Sequence, residues 1–343
     1  MVSLEKRIAA FEKLGLEFEN AFNNPFSALG QLAETVHAHN GWFTPQNVKF
    51  AYKQWAEALS KENLIAWVSA YDLNPAISKS VGLIMAGNIP MVGLHDLISV
   101  LISGNRAQVK LSSKDTVLMR KVIALLLEIE PAFAEYITVE EHIMKGFDAV
   151  IATGSNNTSR YFDYYFGKYP HIIRQNRTSI AILTGKETVE ELRNLGWDIF
   201  RYFGLGCRSV TKIFVPKGYD FTQFFESLNP FAFVLENNKY VNNYDYNKSI
   251  FLLNRTPHLD NGFLLLQENT GLFTPAAMLY YEEYESLAAA KENLEASKDQ
   301  IQCVVSIAKE IENSLLPGDS QSPTLIDYAD GVDTLKFLIG LTK

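Results

Sequence analysis

Apolar residues at Leu4, Ile8, Phe11, Leu14 and Leu16 recur at the spacing of one helix face, and the chain up to about residue 70 reads as helical. Thr44 before Pro45 has the form of a capped helix start. The pattern runs on through Val48, Ala51, Trp55 and Leu59. The period then changes. Residues 81–86 (VGLIMA) form a short, continuously apolar run, as a buried parallel strand does, and Gly87-Asn88-Ile89-Pro90 ends it. A helix is predicted over 92–103, a strand over 105–111, a helix over 116–128, a strand over 148–152 and a helix over 156–166. The alternation continues: a strand at 179–183, a helix at 189–202, a strand at 211–215 and a helix at 218–228. After a polar stretch rich in Asn and Tyr, strand-like runs appear at 249–253, 262–267 and 276–281, followed by a helix at 286–297. Strands alternating with helices imply a doubly wound α/β architecture. A polar cluster at Arg174 to Arg177 interrupts two apolar runs and is the expected join. It divides the chain into a helical N-terminal region with a first α/β domain (1–176), a second, cysteine-bearing α/β domain (177–320) and a C-terminal tail (321–343). The tail is a candidate oligomer contact, and a homo-oligomer is expected.

Composition narrows the function classes. The chain has 343 residues, 47% of them hydrophobic and 20% charged, which suits a globular enzyme with a full core. A net charge of −8 disfavours nucleic acid as a partner, since phosphate neutralisation needs an excess of Lys and Arg. Charges at Glu5, Lys6, Arg7, Glu12 and Lys13 break up any signal-peptide core. No run approaches the ~20 apolar residues of a membrane span, so no membrane span and a cytoplasmic location are expected. The two cysteines, Cys207 and Cys303, give neither a disulfide framework nor a zinc pattern. The six histidines show no metal spacing, and no metal site is assigned.

Candidate chemistry sits where predicted strands end. Cys207, in Gly204-Leu205-Gly206-Cys207-Arg208-Ser209, lies on a glycine-flanked turn between a helix and a strand, where a thiol can meet a carbonyl. Arg208 beside it would lower the thiol pKa if it points that way. A single cysteine is otherwise a small hydrophobe, and Cys303, in an apolar run, reads as a packing residue. Asn88 is either a turn former or an amide donor to an oxyanion. Thr153-Gly154-Ser155, ahead of a helix, is either a cap or a pyrophosphate seat. Lys110, followed by Ser112 and Ser113, ends a strand and could bond a ribose. Glu268 is either a turn carboxylate or an acceptor for a ribose diol.

Taken together and in this order, the segments resemble the aldehyde dehydrogenase superfamily, and within it the acyl-CoA reductase branch, which includes the long-chain fatty acyl-CoA reductase of luminous bacteria. The segments GNIP (87–90), GNRAQVKLSS (104–113), ATGS (152–155), GLGC (204–207) and ENTG (268–271) carry the resemblance, over roughly 81–281. It implies a Rossmann-type cofactor domain plus an α/β catalytic domain. It also implies Cys207 as nucleophile and Asn88 as oxyanion donor. Lys110 falls at the adenosine ribose with Ser112 and Ser113 beside it, Thr153, Gly154 and Ser155 fall at the pyrophosphate, and Glu268 at the nicotinamide ribose. Two departures are informative. Arg174 stands where hydrolytic members hold a water-activating glutamate, which favours reduction over acid release. Ser113 stands where NAD-preferring members often hold an acid, which admits NADPH, with NADH still possible. The expected activity is reduction of an acyl thioester, from acyl-CoA or an acyl-carrier protein, to an aldehyde. The alternatives are a non-catalytic acyl-carrier interaction protein that keeps the fold, and an NAD(P)-dependent aldehyde dehydrogenase.

Overall fold

The computed structural model describes all residues except Met1, Asn74, Ala76, Ser155, Thr342 and Lys343, and no side chain of residues 156–159 is described. Among the described residues the chain divides into two compact units, Met1–Asn176 with Thr324–Lys343, and Arg177–Pro323.

The first unit opens with helices α1 (Leu4–Asn23), α2 (Ala28–Thr35), α3 (Pro45–Ala58) and α4 (Lys61–Val68). Ser3, Ser27, Thr44 and Ser60 cap them, each side chain accepting a backbone N–H of the first turn. The buried face of α1 carries Phe11, Leu14 and Phe18 at helical spacing, whereas Leu16, expected on that face, points outward. Phe11 stacks on Phe133 and Phe18 on Tyr52, with centroids 5.8 and 5.5 Å apart. Arg7 is buried on that same face. Its guanidinium donates to the carbonyls of Ile102 and, at 2.8 Å, Leu73, so an obligate cation ties α1 to a helix end and a loop that flank the layer beneath.

That layer is a parallel sheet. Its members are β1 (Ser80–Ile84), β2 (Arg106–Lys110), β3 (Ile137–Val139), β4 (Ala149–Thr153) and β5 (His171–Arg174), in the order β3-β2-β1-β4-β5. Helices α5 (Leu94–Ile102), α6 (Thr116–Ile129) and α7 (Asn156–Phe166) connect them. Strand order reverses at β1, which pairs with both β2 and β4. Sequence patterning finds β1, β2 and β4 but not the two edge strands. With three and four residues, β3 and β5 are too short to show a period.

The second unit carries β6 (Thr178–Ile182), α8 (Val189–Phe200), β7 (Val210–Pro216), α9 (Thr222–Leu228), α10 (Asn238–Asn254), β8 (Leu259–Asp260), β9 (Leu265–Glu268), β10 (Met278–Tyr284), α11 (Leu287–Ser297) and β11 (Ile301–Val305). Its sheet runs β11-β6-β7-β10-β9-β8, parallel except for the last pair. The strand expected at 249–253 is the last part of α10. Asn237 caps this helix by accepting from Lys239 and Tyr240. Tyr240, Tyr244, Asn247 and Phe251 form its buried face, at helical spacing, while Leu252 and Leu253 of the apolar run point outward. The local run resembled a strand; tertiary burial of one in three to four residues made it a helix.

The chain then returns to the first unit with α12 (Thr334–Gly340). Leu325, Leu335 and Leu338 are buried in that unit's core, and Tyr328 accepts from Trp67 Nε1 at 2.8 Å. Residues 324–341 therefore pack as part of the first unit rather than as a separate tail.

Candidate active site

In the first unit the candidate residues gather at the carboxyl edge of neighbouring strands, the edge at which parallel α/β sheets bind ligands. Asn88, half-buried, follows β1. Lys110, Leu111, Ser112 and the exposed Ser113 follow β2. Thr153 and Gly154 close β4. Ser155 lies outside the described residues. The β1 and β2 loops touch: a Cβ on Gly87 would fall 2.5 Å from Ser112 Oγ, so only glycine allows the approach. The Ser112 carbonyl accepts from Asp115 N at 3.1 Å and Thr116 Oγ1 at 2.8 Å, which sets the second turn.

Asp115, absent from the sequence-derived candidates, lies between these loops. Its Oδ2 accepts the Met91 N–H at 2.7 Å, and Met91 adopts φ 56°, a left-handed value costly for a residue with a side chain. Burial pushes the Asp115 carboxyl up to about 8, against the lowering effect of the Met91 bond. In the sequence, Asp115 reads as an ordinary helix cap before Thr116; in the structure its side chain makes no cap bond to α6.

Lys110 points its ammonium at the carbonyls of Glu141 and His142, the latter at 3.2 Å. Arg174, at the position expected to hold a water-activating glutamate, is buried. It pairs with Asp96 and donates to Thr334 Oγ1 at 3.1 Å, so its guanidinium is engaged inside the first unit.

In the second unit Cys207 is half-exposed on the connection from α8 to β7. The turn that delivers it is left-handed over three residues, Tyr202 (φ 54°), Phe203 (φ 58°) and Gly204 (φ 74°). Two of these carry large side chains, so the backbone stores strain of order 1–3 kcal/mol each. Burial of both rings offsets it: Tyr202 and Phe203 are 6% and 4% exposed, and Phe203 packs against Tyr240. The glycine-flanked bend expected from sequence therefore starts two residues earlier, at aromatic positions that give no sequence signal. A small cleft of mixed polarity, lined by Phe200, Phe203, Thr211, Tyr240, Leu264 and Thr274, adjoins the turn.

The carbonyl of Cys207 accepts from Ser179 Oγ at 3.0 Å. The same hydroxyl lies 2.9 Å from Cys303 Sγ and accepts the Cys303 N–H at 3.2 Å. Cys303, expected to be a packing residue, is half-buried and hydrogen-bonded instead. Arg208 donates to the Ser320 carbonyl at 3.2 Å. Ser320 is in turn held by the buried Asp198, which accepts its N–H and hydroxyl at 3.0 and 2.6 Å. Burial pushes Asp198 up to about 6, against those bonds and one from Gly318.

Glu268 ends β9 and is exposed. The loop after it is fastened to β7: Lys212 Nζ donates to Thr270 O at 3.0 Å and pairs with Glu282 at 2.5 Å, while Thr211 Oγ1 donates to Leu272 O at 2.6 Å. Sequence reasoning missed Lys212 and Thr211, because a lysine in a strand reads as a solvated end; this one is 1% exposed. Two aromatic-rich stretches, 161–166 and 221–233, differ in burial. Phe221, Phe224 and Phe231 are core, whereas Tyr161, Tyr164 and Tyr165 are exposed.

Residues 77–237 match the model of the acyl-CoA reductase (LuxC) family, a span that holds Asn88, Lys110, Thr153 and Cys207. No curated protein matches the sequence. Among solved structures, aldehyde dehydrogenase 21 from Physcomitrella patens, in complex with succinate, superposes with a TM-score of 0.69 at 13% identity, over 99% of this chain and 85% of that one. A mutant indole-3-acetaldehyde dehydrogenase from P. syringae, bound to NAD+ and IAA, gives 0.69 at 13% over 91% and 74%. Glyceraldehyde-3-phosphate dehydrogenase GapN from Methanocaldococcus jannaschii, complexed with NADP, gives 0.64 at 14% over 90% and 77%. Residues 77–237 are thus similar to the acyl-CoA reductase family, and the chain has the fold of the aldehyde dehydrogenases.

Proposed function

We propose that the protein reduces an acyl thioester, carried by CoA or an acyl-carrier protein, to an aldehyde through an acyl-Cys207 intermediate, with NADPH as cofactor. The observation that carries this reading is Cys207 itself: a half-exposed thiol on a strained turn inside the family-matched residues. The edge formed by the β1, β2 and β4 loops suits a nicotinamide dinucleotide, since it offers hydroxyls at Ser112, Ser113 and Thr153 with a close glycine approach at Gly87. Exposed Ser113 and Lys114 suit a 2′-phosphate better than a carboxylate would. When bound, the cofactor supplies hydride and no proton.

Cys207 thiolate attacks the thioester carbonyl, and Asn88 donates its side-chain N–H to the oxyanion, a contact worth about 3 kcal/mol in such sites. The adduct expels the carrier as a thiolate, a good leaving group that needs no strong acid, and Cys207 keeps the acyl group. After reduction the hemithioacetal collapses: the C–S bond breaks, aldehyde leaves and the Cys207 thiolate is restored. One proton from solvent balances the released carrier thiol. With Arg174 engaged by Asp96, no base at that position activates water, so free acid is a minor product.

The test follows loss of reduced-nicotinamide absorbance with NADPH and acyl-CoAs of graded chain length. The proposal expects stoichiometric aldehyde and free CoA. It is overturned if Cys207→Ala turns over normally, or if aldehyde is oxidised to acid without any CoA requirement.

A further inference from the structure

We propose that Asp115 is a positioning residue for the Asn88 turn, through the bond from its carboxyl to the Met91 backbone; the inference rests on the role given to Asn88 above. Asp115 occupies the cap position of α6, where a carboxylate ordinarily accepts helix N–H groups, yet it makes no such bond. Its Oδ2 instead crosses to the neighbouring loop and accepts the Met91 N–H at 2.7 Å. Oδ1 is buried with no hydrogen-bond partner among the described residues, so the group bears a desolvation cost that capping would have avoided.

What the bond holds is a strained segment. Met91 sits at φ 56° with its side chain fully buried, three residues after Asn88, and its carbonyl accepts Leu94 N at the start of α5. Pro90 before it has no N–H to offer, so the Met91 amide is the next backbone donor after Ile89 on that side of the turn. Asp115 is simultaneously fixed to the β2 loop by its own N–H, which donates to Ser112 O at 3.1 Å. The two loops meet at Gly87, where an added Cβ would come within 3.1 Å of Asp115 Cβ. One buried side chain thus sets the spacing between the loop that bears Asn88 and the loop that bears Ser112 and Ser113.

The test uses the full chain with Asp115→Ala, Asp115→Asn, Asn88→Ala and the double variant. Asn keeps an acceptor for Met91 and Ala does not. Hydrogen exchange in the peptide spanning 87–92 is expected to rise about tenfold in Asp115→Ala and to stay near the parent in Asp115→Asn. Turnover of acyl-CoA is expected to fall about tenfold to a hundredfold in Asp115→Ala with KM little changed. Asp115→Asn rescues it, and Asp115→Ala adds almost nothing in the Asn88→Ala background. Should Asp115→Ala fail to fold, Asp115→Ser, whose hydroxyl is too short to reach Met91, replaces it. Unchanged exchange, or full additivity with Asn88→Ala, overturns the inference. If Asn88→Ala alone leaves turnover intact, the oxyanion assignment fails, while the exchange result still decides whether Asp115 braces the turn.

Discussion

Two turns carry the proposed chemistry, and both force bulky residues into left-handed backbone. At Met91 the conformation is fixed by a polar tie, a single buried carboxyl accepting one N–H. At Tyr202 and Phe203 it is fixed by packing, with both rings buried on the path to Cys207. The strain is similar in kind, but its counterweight differs. A carboxyl changes with pH and can be replaced by an isostere; ring burial is indifferent to pH and depends on volume. The Asn88 turn is therefore the titratable one of the pair, and the Cys207 turn the one that fails through cavities.

This contrast can be broken or sharpened by substitution. The largest effect is expected at the thiol the packed turn delivers: Cys207→Ala lowers aldehyde formation by about 10³-fold or more while unfolding midpoints stay put, as steady-state assays and urea melts can show. Next, Phe203→Ala costs about 3–5 kcal/mol in denaturant unfolding, equally at pH 5 and pH 8. A pH-dependent loss there would erase the distinction between the turns.

Third comes Asp115→Asn. The folded carboxyl titrates near 8 and the unfolded one near ~3.9, so the folded state holds the extra proton between those values. Its stabilising contribution is complete below the unfolded value and is lost as pH rises towards 8. The Asn variant should therefore gain on the parent by on the order of 4 kcal/mol from pH 5 to pH 8, measured by urea titration at both. A flat difference would mean that the carboxyl is not the titrating tie. Smallest is Ser179→Ala, which removes the donor to the Cys207 carbonyl and the partner of Cys303. About 1 kcal/mol is expected in melts, with little change in turnover.

The same contrast explains what could be read from the chain beforehand. β1 and β4 announce themselves as apolar runs because they are buried on both faces, β2 shows itself by alternation, with Ala107 and Val109 buried between polar residues, and Asn88, Lys110 and Thr153 stand out at the ends of these strands. Cys207 stands out through its glycines. Asp115 and Lys212 do not, since a capping aspartate and a strand-end lysine look ordinary until the neighbouring loop is in place. Tyr202 and Phe203 do not either, because aromatic residues carry no preference for positive φ. The 249–253 run misled for the opposite reason: it is apolar, yet its direction was decided by Tyr240, Tyr244 and Phe251 seeking cover at helical intervals. Local pattern reveals what a segment needs by itself; these residues serve segments distant in sequence.

The re-entry of α12 bears on how the molecule is assembled. Leu325, Leu335 and Leu338 complete a core whose other members lie before residue 177, with the whole second unit synthesised between them. A ribosome therefore releases every residue of the later unit before the earlier one has its last apolar pieces. The nascent first unit must wait with a gap in its interior, and this is the interval in which a chaperone has most to do.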